Sequence, residues 1–168
     1  MNNIAKLVIS ILIPLGIGLS SALFNDTGEG SWFQALEKPS WNPPGWVFGP
    51  VWTTLYILMG IALYLVWKSP ASSRRRTAII LFSFQMVLNF FWSFIFFKLE
   101  EPGWAFVEIV VLWFTILVTI FSFASINKTA AWLLVPYISW VSFASLLNYT
   151  IWLLNSWASM NFFPAAGL

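Results

Sequence analysis

The sequence predicts an all-α integral membrane protein, a five-transmembrane-helix bundle with a long structured first loop. Three observations lead there. Of 168 residues, 60% are apolar and only 8% are charged, where soluble domains carry about 25% charged residues. The mean hydropathy is +0.81. The apolar residues gather into five runs, each close to the ~20 residues that cross a bilayer. A soluble chain of this length would leave much of that apolar surface in water.

The first run covers 4–24. It holds Pro14 and several glycines, which are common in membrane helices. The alternative is a cleaved signal peptide, with Lys6 before the run and Ser20-Ser21-Ala22 as a small-residue cleavage site; the run is long for a signal sequence. The second run, 47–67, follows a proline-rich loop. The third, 77–97, follows the polar break Lys68 to Arg76. The fourth, 103–125, follows Lys98 to Pro102, and the fifth, 129–154, follows Asn127 and Lys128. Such short breaks force neighbouring helices to run antiparallel, so residues 1–168 are expected to form one domain.

Five spans place Lys6, Lys68, Arg74, Arg75, Arg76 and Lys128 on one side, against Lys38 and Lys98 on the other. The positive-inside rule then makes the N-terminus and the 68–76 loop cytoplasmic. The Arg74-Arg75-Arg76 run reads as an anchor at anionic headgroups. A net charge of +2 is too weak and too local to argue for nucleic acid. The sequence has no cysteine, hence no disulfide or thiolate metal site. It has no histidine, the commonest metal ligand and general base. No metal site and no required cofactor are expected.

Residues 25–46 form the one substantial loop. Ser31 can cap a short helix reaching Leu36. Beyond it, Pro39, Pro43, Pro44 and Gly45 impose a rigid, extended path. Trp32, Trp41 and Trp46 are interleaved with these. They read either as an interfacial aromatic belt or as a stiff lid over one end of the bundle.

Many of the 12 tryptophans fall deep within the runs, among them Trp92, Trp113 and Trp140. A buried indole N–H needs an acceptor, so core packing alone would be served better by aliphatic residues. Gln85, Asn89 and Trp92 lie at i, i+4 and i+7 on one helix face. Side-chain amides in hydrocarbon must face the bundle interior, as interhelical glue or as the lining of a ligand cavity. Trp140, Ala144, Leu147 and Asn148 share a face of the fifth run, where the small Ala144 leaves room for a close helix or a ligand. Glu108 is the one acid within a predicted span, about one turn from its start. It is a functional candidate by type, although near an interface it can reach water or a loop.

The stretch WFQALEKPSWNPP, residues 32–44, resembles the signature of the translocator protein family, also called TspO/MBR, tryptophan-rich sensory protein or peripheral-type benzodiazepine receptor. The resemblance continues through residues 45–67. It returns at Leu88-Asn89, Phe96-Phe97, Gly103-Trp104-Ala105 and VPYISWVSFASLLNY, so it covers nearly the whole chain. It implies a five-helix bundle, usually a homodimer, with a pocket closed by the first loop. It implies binding of protoporphyrin IX and related apolar ligands, and a sensor or receptor role linked to stress responses. Trp52 and Trp140 match the paired tryptophans that face the bound ring, to which light-dependent porphyrin degradation has been ascribed. Asn89, Trp92, Ala144 and Leu147 match other pocket positions. Trp32, Trp41, Tyr56, Gln85 and Asn148 complete the expected ligand-binding set, and Lys38, Pro43 and Pro44 the lid. Lys38 is the expected partner of the ligand's carboxylates. Two departures stand out. Tyr149 is followed by no basic residue, as the animal sterol motif requires, and Ile80 and Phe84 replace a small-residue pattern on the third run.

Three functional classes follow: a tetrapyrrole-binding sensor, an enzyme consuming protoporphyrin, and a transporter of hydrophobic small molecules or tetrapyrroles. Without His, Cys or paired carboxylates in the spans, ordinary acid–base or nucleophilic catalysis has no groups to use. A proton-coupled exporter would want its carboxylate deeper than Glu108. The sensor reading is the preferred one.

Overall fold

The computed structural model describes residues 2–160, with side chains described for 2–156. Met1 and residues 161–168 of the predicted domain lie outside the described residues. The helices are α1 (Asn3–Ala22), α2 (Trp32–Ala35), α3 (Gly45–Trp67), α4 (Ser73–Ser93), α5 (Pro102–Ala124), α6 (Lys128–Leu133) and α7 (Val135–Met160). Five stretches are long and apolar enough to cross a membrane: α1, α3, α4 with its extension to Lys98, α5, and α6 with α7.

The caps follow from local chemistry. The Asn2 side chain accepts from the Ala5 N–H at 2.8 Å, and the Asn127 side chain from Ala130 at 3.0 Å. Pro102 opens α5 at its first position, where a missing N–H costs nothing. Three details differ from the sequence expectation. The Ser72 side chain caps α4 at Arg75 N, so Arg74, Arg75 and Arg76 belong to the helix rather than to the break before it. Arg75 Nη1 turns back onto Trp67 O at 3.4 Å, a carbonyl at the end of α3, and onto Ser69 O at 2.6 Å just beyond it. The third run ends in a π turn over Phe94–Lys98, closed by Leu99 N–H to Phe94 O at 3.0 Å. The fifth run is broken at Leu134, because Pro136 has no N–H to continue the ladder.

The spans close into a ring. α1 packs on α3, α3 on α6, α6 and α7 on α5, and α5 on α4, which returns to α1. Glycine makes the α1–α3 crossing close. A Cβ on Gly60 would fall 2.6 Å from Ile11 Cα, and one on Gly18 would enter the Tyr56 ring. Such small-residue contacts substitute for the hydrophobic drive that helices in lipid lack. The main core runs through all five spans and includes Met59, Phe82, Leu112, Ile116 and Tyr137. A second cluster around Phe96, Ala105, Leu147 and Ile151 lies at the end covered by the first loop.

The loop is tied down at several points. Ser31 Oγ accepts from Gln34 N–H at 3.4 Å. The Trp32 ring meets Phe96 edge-on at 5.7 Å, and Trp41 meets Phe143 at 5.8 Å. Asn155, near the end of α7, accepts from Glu37 N–H and donates to Glu37 O, both at 3.0 Å.

Candidate functional site

Three helices bring polar side chains together inside the bundle. Tyr56 on α3 donates from its hydroxyl to Asn89 Oδ1 on α4 at 2.8 Å. Asn89 Nδ2 donates to the Tyr137 hydroxyl of α7 at 3.1 Å, and that hydroxyl donates to Gln85 Oε1 at 2.9 Å. All four residues are buried. The helical spacing of Gln85 and Asn89 turns both amides to the interior, where they can be satisfied only by another helix. Tyr137 is the residue sequence reasoning missed. Its signal was available, since a tyrosine three positions before Trp140 in an apolar span needs a partner for its hydroxyl.

Aromatic rings surround this chain of bonds. Trp52 stacks on Tyr56 at 5.4 Å and 27°, and meets Tyr137 edge-on at 6.3 Å. Trp140 lies 5.9 Å from Phe48 and 5.3 Å from Phe143, and Phe143 also touches Trp41 of the loop. Ala144, one turn on, packs against the main core. Trp92 stacks on Phe96 at 5.2 Å and donates from Nε1 to Asn148 Oδ1 at 3.0 Å. Asn148 Nδ2 donates to Pro102 O at 2.8 Å, joining α4, α7 and the start of α5. Leu147 is buried beside it, in the loop-end cluster that also receives Trp32.

The expected residues therefore fall into a continuous region rather than a single shell. Trp52, Tyr56, Gln85 and Asn89 meet in mid-bundle. Trp140 and Ala144 connect through Phe143 to Trp41. Trp92, Leu147 and Asn148 meet Trp32 at the loop end. Pro43 and Pro44 lead into α3, with Pro43 O accepting from Asn42 Nδ2 at 3.1 Å. Lys38 is turned onto its own loop: Nζ donates to Gln34 O at 3.2 Å and Leu36 O at 2.9 Å, over the Phe33 ring. Desolvation there lowers the Lys38 pKa from its ordinary 10.5.

Several buried polar atoms have no partner among the described residues, including Trp140 Nε1, Gln85 Nε2 and both Glu108 carboxylate oxygens. Glu108 is six residues into α5, about 9 Å at 1.5 Å per residue. That is somewhat deeper than the one turn expected from sequence. Among the described residues no group of three or more acidic side chains is placed to hold a metal ion.

Among the described residues, clefts open at the surface at two places of note. One, of about 550 Å³, lies between the loop, the start of α5 and the end of α7, and of the expected residues only Trp32 lines it. The other, of about 470 Å³, runs between α5 and α7 past Phe106, Trp113 and Tyr149.

The sequence profile of the TspO/MBR family matches residues 10–153. The Tryptophan-rich protein TspO of Chlorobaculum tepidum is 43% identical over 157 residues, covering 91% of this chain and 98% of that one. The Translocator protein of Homo sapiens is 41% identical over 128 residues, covering 74% and 76%. The Tryptophan-rich sensory protein of Cereibacter sphaeroides is 34% identical over 124 residues, covering 74% and 77%.

Proposed function

The chain belongs to the TspO/MBR family, and from that premise we propose that it is a membrane receptor or sensor for tetrapyrroles, protoporphyrin IX among them. The ligand lies among the aromatic side chains between the helices. One observation carries the reading. The indole N–H of Trp140 is sealed from solvent, has no acceptor among the described residues, and sits within an aromatic group that reaches the loop. A residue present only to pack would not leave a buried donor unpaired, because that costs about 1–3 kcal/mol. A flat ring system with polar edges supplies both a stacking surface and acceptors.

In this reading Trp52 and Trp140 face the ring, and the loop from Trp32 to Pro44 is the lid. Lys38 has a third ammonium donor beyond its two carbonyl bonds, which the ligand's carboxylates use at the loop end. The functional unit is a homodimer, with its N-terminus and the 68–76 loop in the cytoplasm. The sequence has no His or Cys, so any loss of porphyrin proceeds by light and oxygen at the two tryptophans rather than by acid–base turnover.

The test is a protoporphyrin IX titration of purified protein in the dark and then under light, comparing wild type with Trp52→Phe and Trp140→Phe. Each stack is worth roughly 0.5–1.5 kcal/mol and a phenyl ring keeps part of it, so each variant should bind more weakly by up to about 12-fold. Saturable wild-type binding weakened by both changes supports the pocket. Turnover in the dark without oxygen would make the protein a true enzyme, and absence of saturable binding would sink the tetrapyrrole reading.

A further inference from the structure

The cleft of about 550 Å³ at the loop end lies outside the interior network, and its chemistry differs from it. Three indoles wall it, from three elements: Trp32 of α2, Trp104 of α5 and Trp152 of α7. Glycine permits this arrangement, since a Cβ on Gly103 would stand 2.9 Å from Trp152 Nε1 and 3.1 Å from its Cε2. Phe106 stacks on Trp152 at 6.1 Å and 22°, which fixes the ring against the first turn of α5. Trp104 is 67% exposed, so its ring is not spent on core packing.

Two acids edge the same cleft, Glu100 and Glu101. Glu100 is held at φ 59°, the left-handed conformation that ends the preceding helix, with Glu101 N–H donating back to Ile95 O at 3.2 Å, so the turn fixes both acids at the rim. Among the described residues neither carboxylate makes an ion pair or hydrogen bond. The size falls within the roughly 300–1,000 Å³ of small-molecule sites. The position, where α5 begins and α7 nears its end, is the level at which a span leaves the hydrocarbon and meets headgroups.

Indole faces carry negative charge density and attract a cation within about 6 Å of the ring. A quaternary ammonium suits such a cage better than a primary one, because it sheds water readily and asks for no hydrogen-bond acceptor. Rim carboxylates raise its local concentration. We propose that this cleft binds the quaternary ammonium head of an amphiphile, as a choline lipid presents it, with the chain leaving past the exposed Val107 along α5. The site is distinct from the interior pocket and shares with it only Trp32 and Leu36 of the loop.

The full-length protein is reconstituted in nanodiscs of choline-free lipid, and tryptophan fluorescence is followed on titration. The probes are dihexanoylphosphatidylcholine, its phosphatidylethanolamine counterpart and dodecyltrimethylammonium. The choline lipid and the alkyltrimethylammonium should saturate, with the ethanolamine lipid roughly fivefold weaker or more. Trp104→Leu keeps the apolar bulk at an exposed position and should cost the choline lipid a similar factor. Glu100→Gln with Glu101→Gln should weaken both cations, most at low salt. Equal binding of the two lipids, or unchanged binding in Trp104→Leu, overturns the proposal. Saturation by the alkyltrimethylammonium alone overturns the lipid source and keeps the ammonium chemistry.

Discussion

Replacing Gly18 by alanine tests the α1–α3 crossing and the interior hydrogen-bond chain together. The added Cβ would lie 2.6 Å from Tyr56 Cδ2 and 2.7 Å from Cζ, with Cε2 nearer still. Something must move, and the ring is held by Trp52 on one face and by its bond to Asn89. Overpacking of this kind costs about 1–3 kcal/mol. Losing the Tyr56–Asn89 bond adds about 0.6–1.7 kcal/mol in a membrane setting. Alanine's better helix propensity returns up to ~1 kcal/mol, so the net loss is about 0.6–4.7 kcal/mol. At roughly 2–4 °C per kcal/mol for a chain of this size, the unfolding midpoint in a fixed detergent should fall by about 1–19 °C. Gly16→Ala is the control, since a Cβ there meets nothing within 4 Å, and it should be neutral or mildly stabilising. In a Tyr56→Ala background the Gly18→Ala penalty should vanish, because the clash partner is gone. If Gly18→Ala melts with Gly16→Ala, or keeps its penalty without the Tyr56 ring, the close-packing argument is wrong.

Tyr137→Phe strands Asn89 Nδ2 and Gln85 Oε1 together, and should destabilise by about 1–3 kcal/mol in the same melt. Asn155→Ala removes both bonds to Glu37; amide exchange across the loop should quicken while exchange in α3 to α5 stays unchanged. Glu108→Gln removes an intramembrane carboxylate whose two oxygens have no partner among the described residues, so its midpoint at neutral pH should equal or exceed wild type; a fall would mean the charge is compensated. Lys38 binds its proton less tightly in the folded chain than in the unfolded one, because desolvation lowers its pKa from 10.5. Stability from this group therefore rises as pH climbs through the interval just below 10.5, and Lys38→Gln should flatten that alkaline rise.

The spans were legible because lipid imposes length and apolarity directly: the observed helices begin and end within a few residues of the apolar runs. What the runs hid was backbone detail. Arg74 to Arg76 look like a loop by charge, yet Ser72 starts the helix before them. Pro136 breaks the fifth span although the hydropathy does not change there. The site was legible in part. The spacing of Gln85, Asn89 and Trp92 put their polar groups inside, and each bonds across to another helix. Tyr137 was missed because a tyrosine in an aromatic-rich span looks like packing until its hydroxyl is seen between two amides. The partners of Lys38 lay beyond pattern reading, since they are carbonyls of its own loop.

The clamp between Glu37 and Asn155 also dictates an order of events during synthesis. Its two ends are 118 residues apart. At ~5–20 residues per second, roughly 6–24 s separate the appearance of the loop from that of the side chain that fastens it. Throughout that interval Trp32 and Trp41 have left the ribosome while Asn155 has not. The nascent chain must therefore settle four spans in the membrane around an unfastened aromatic segment, and close that segment only when the fifth arrives.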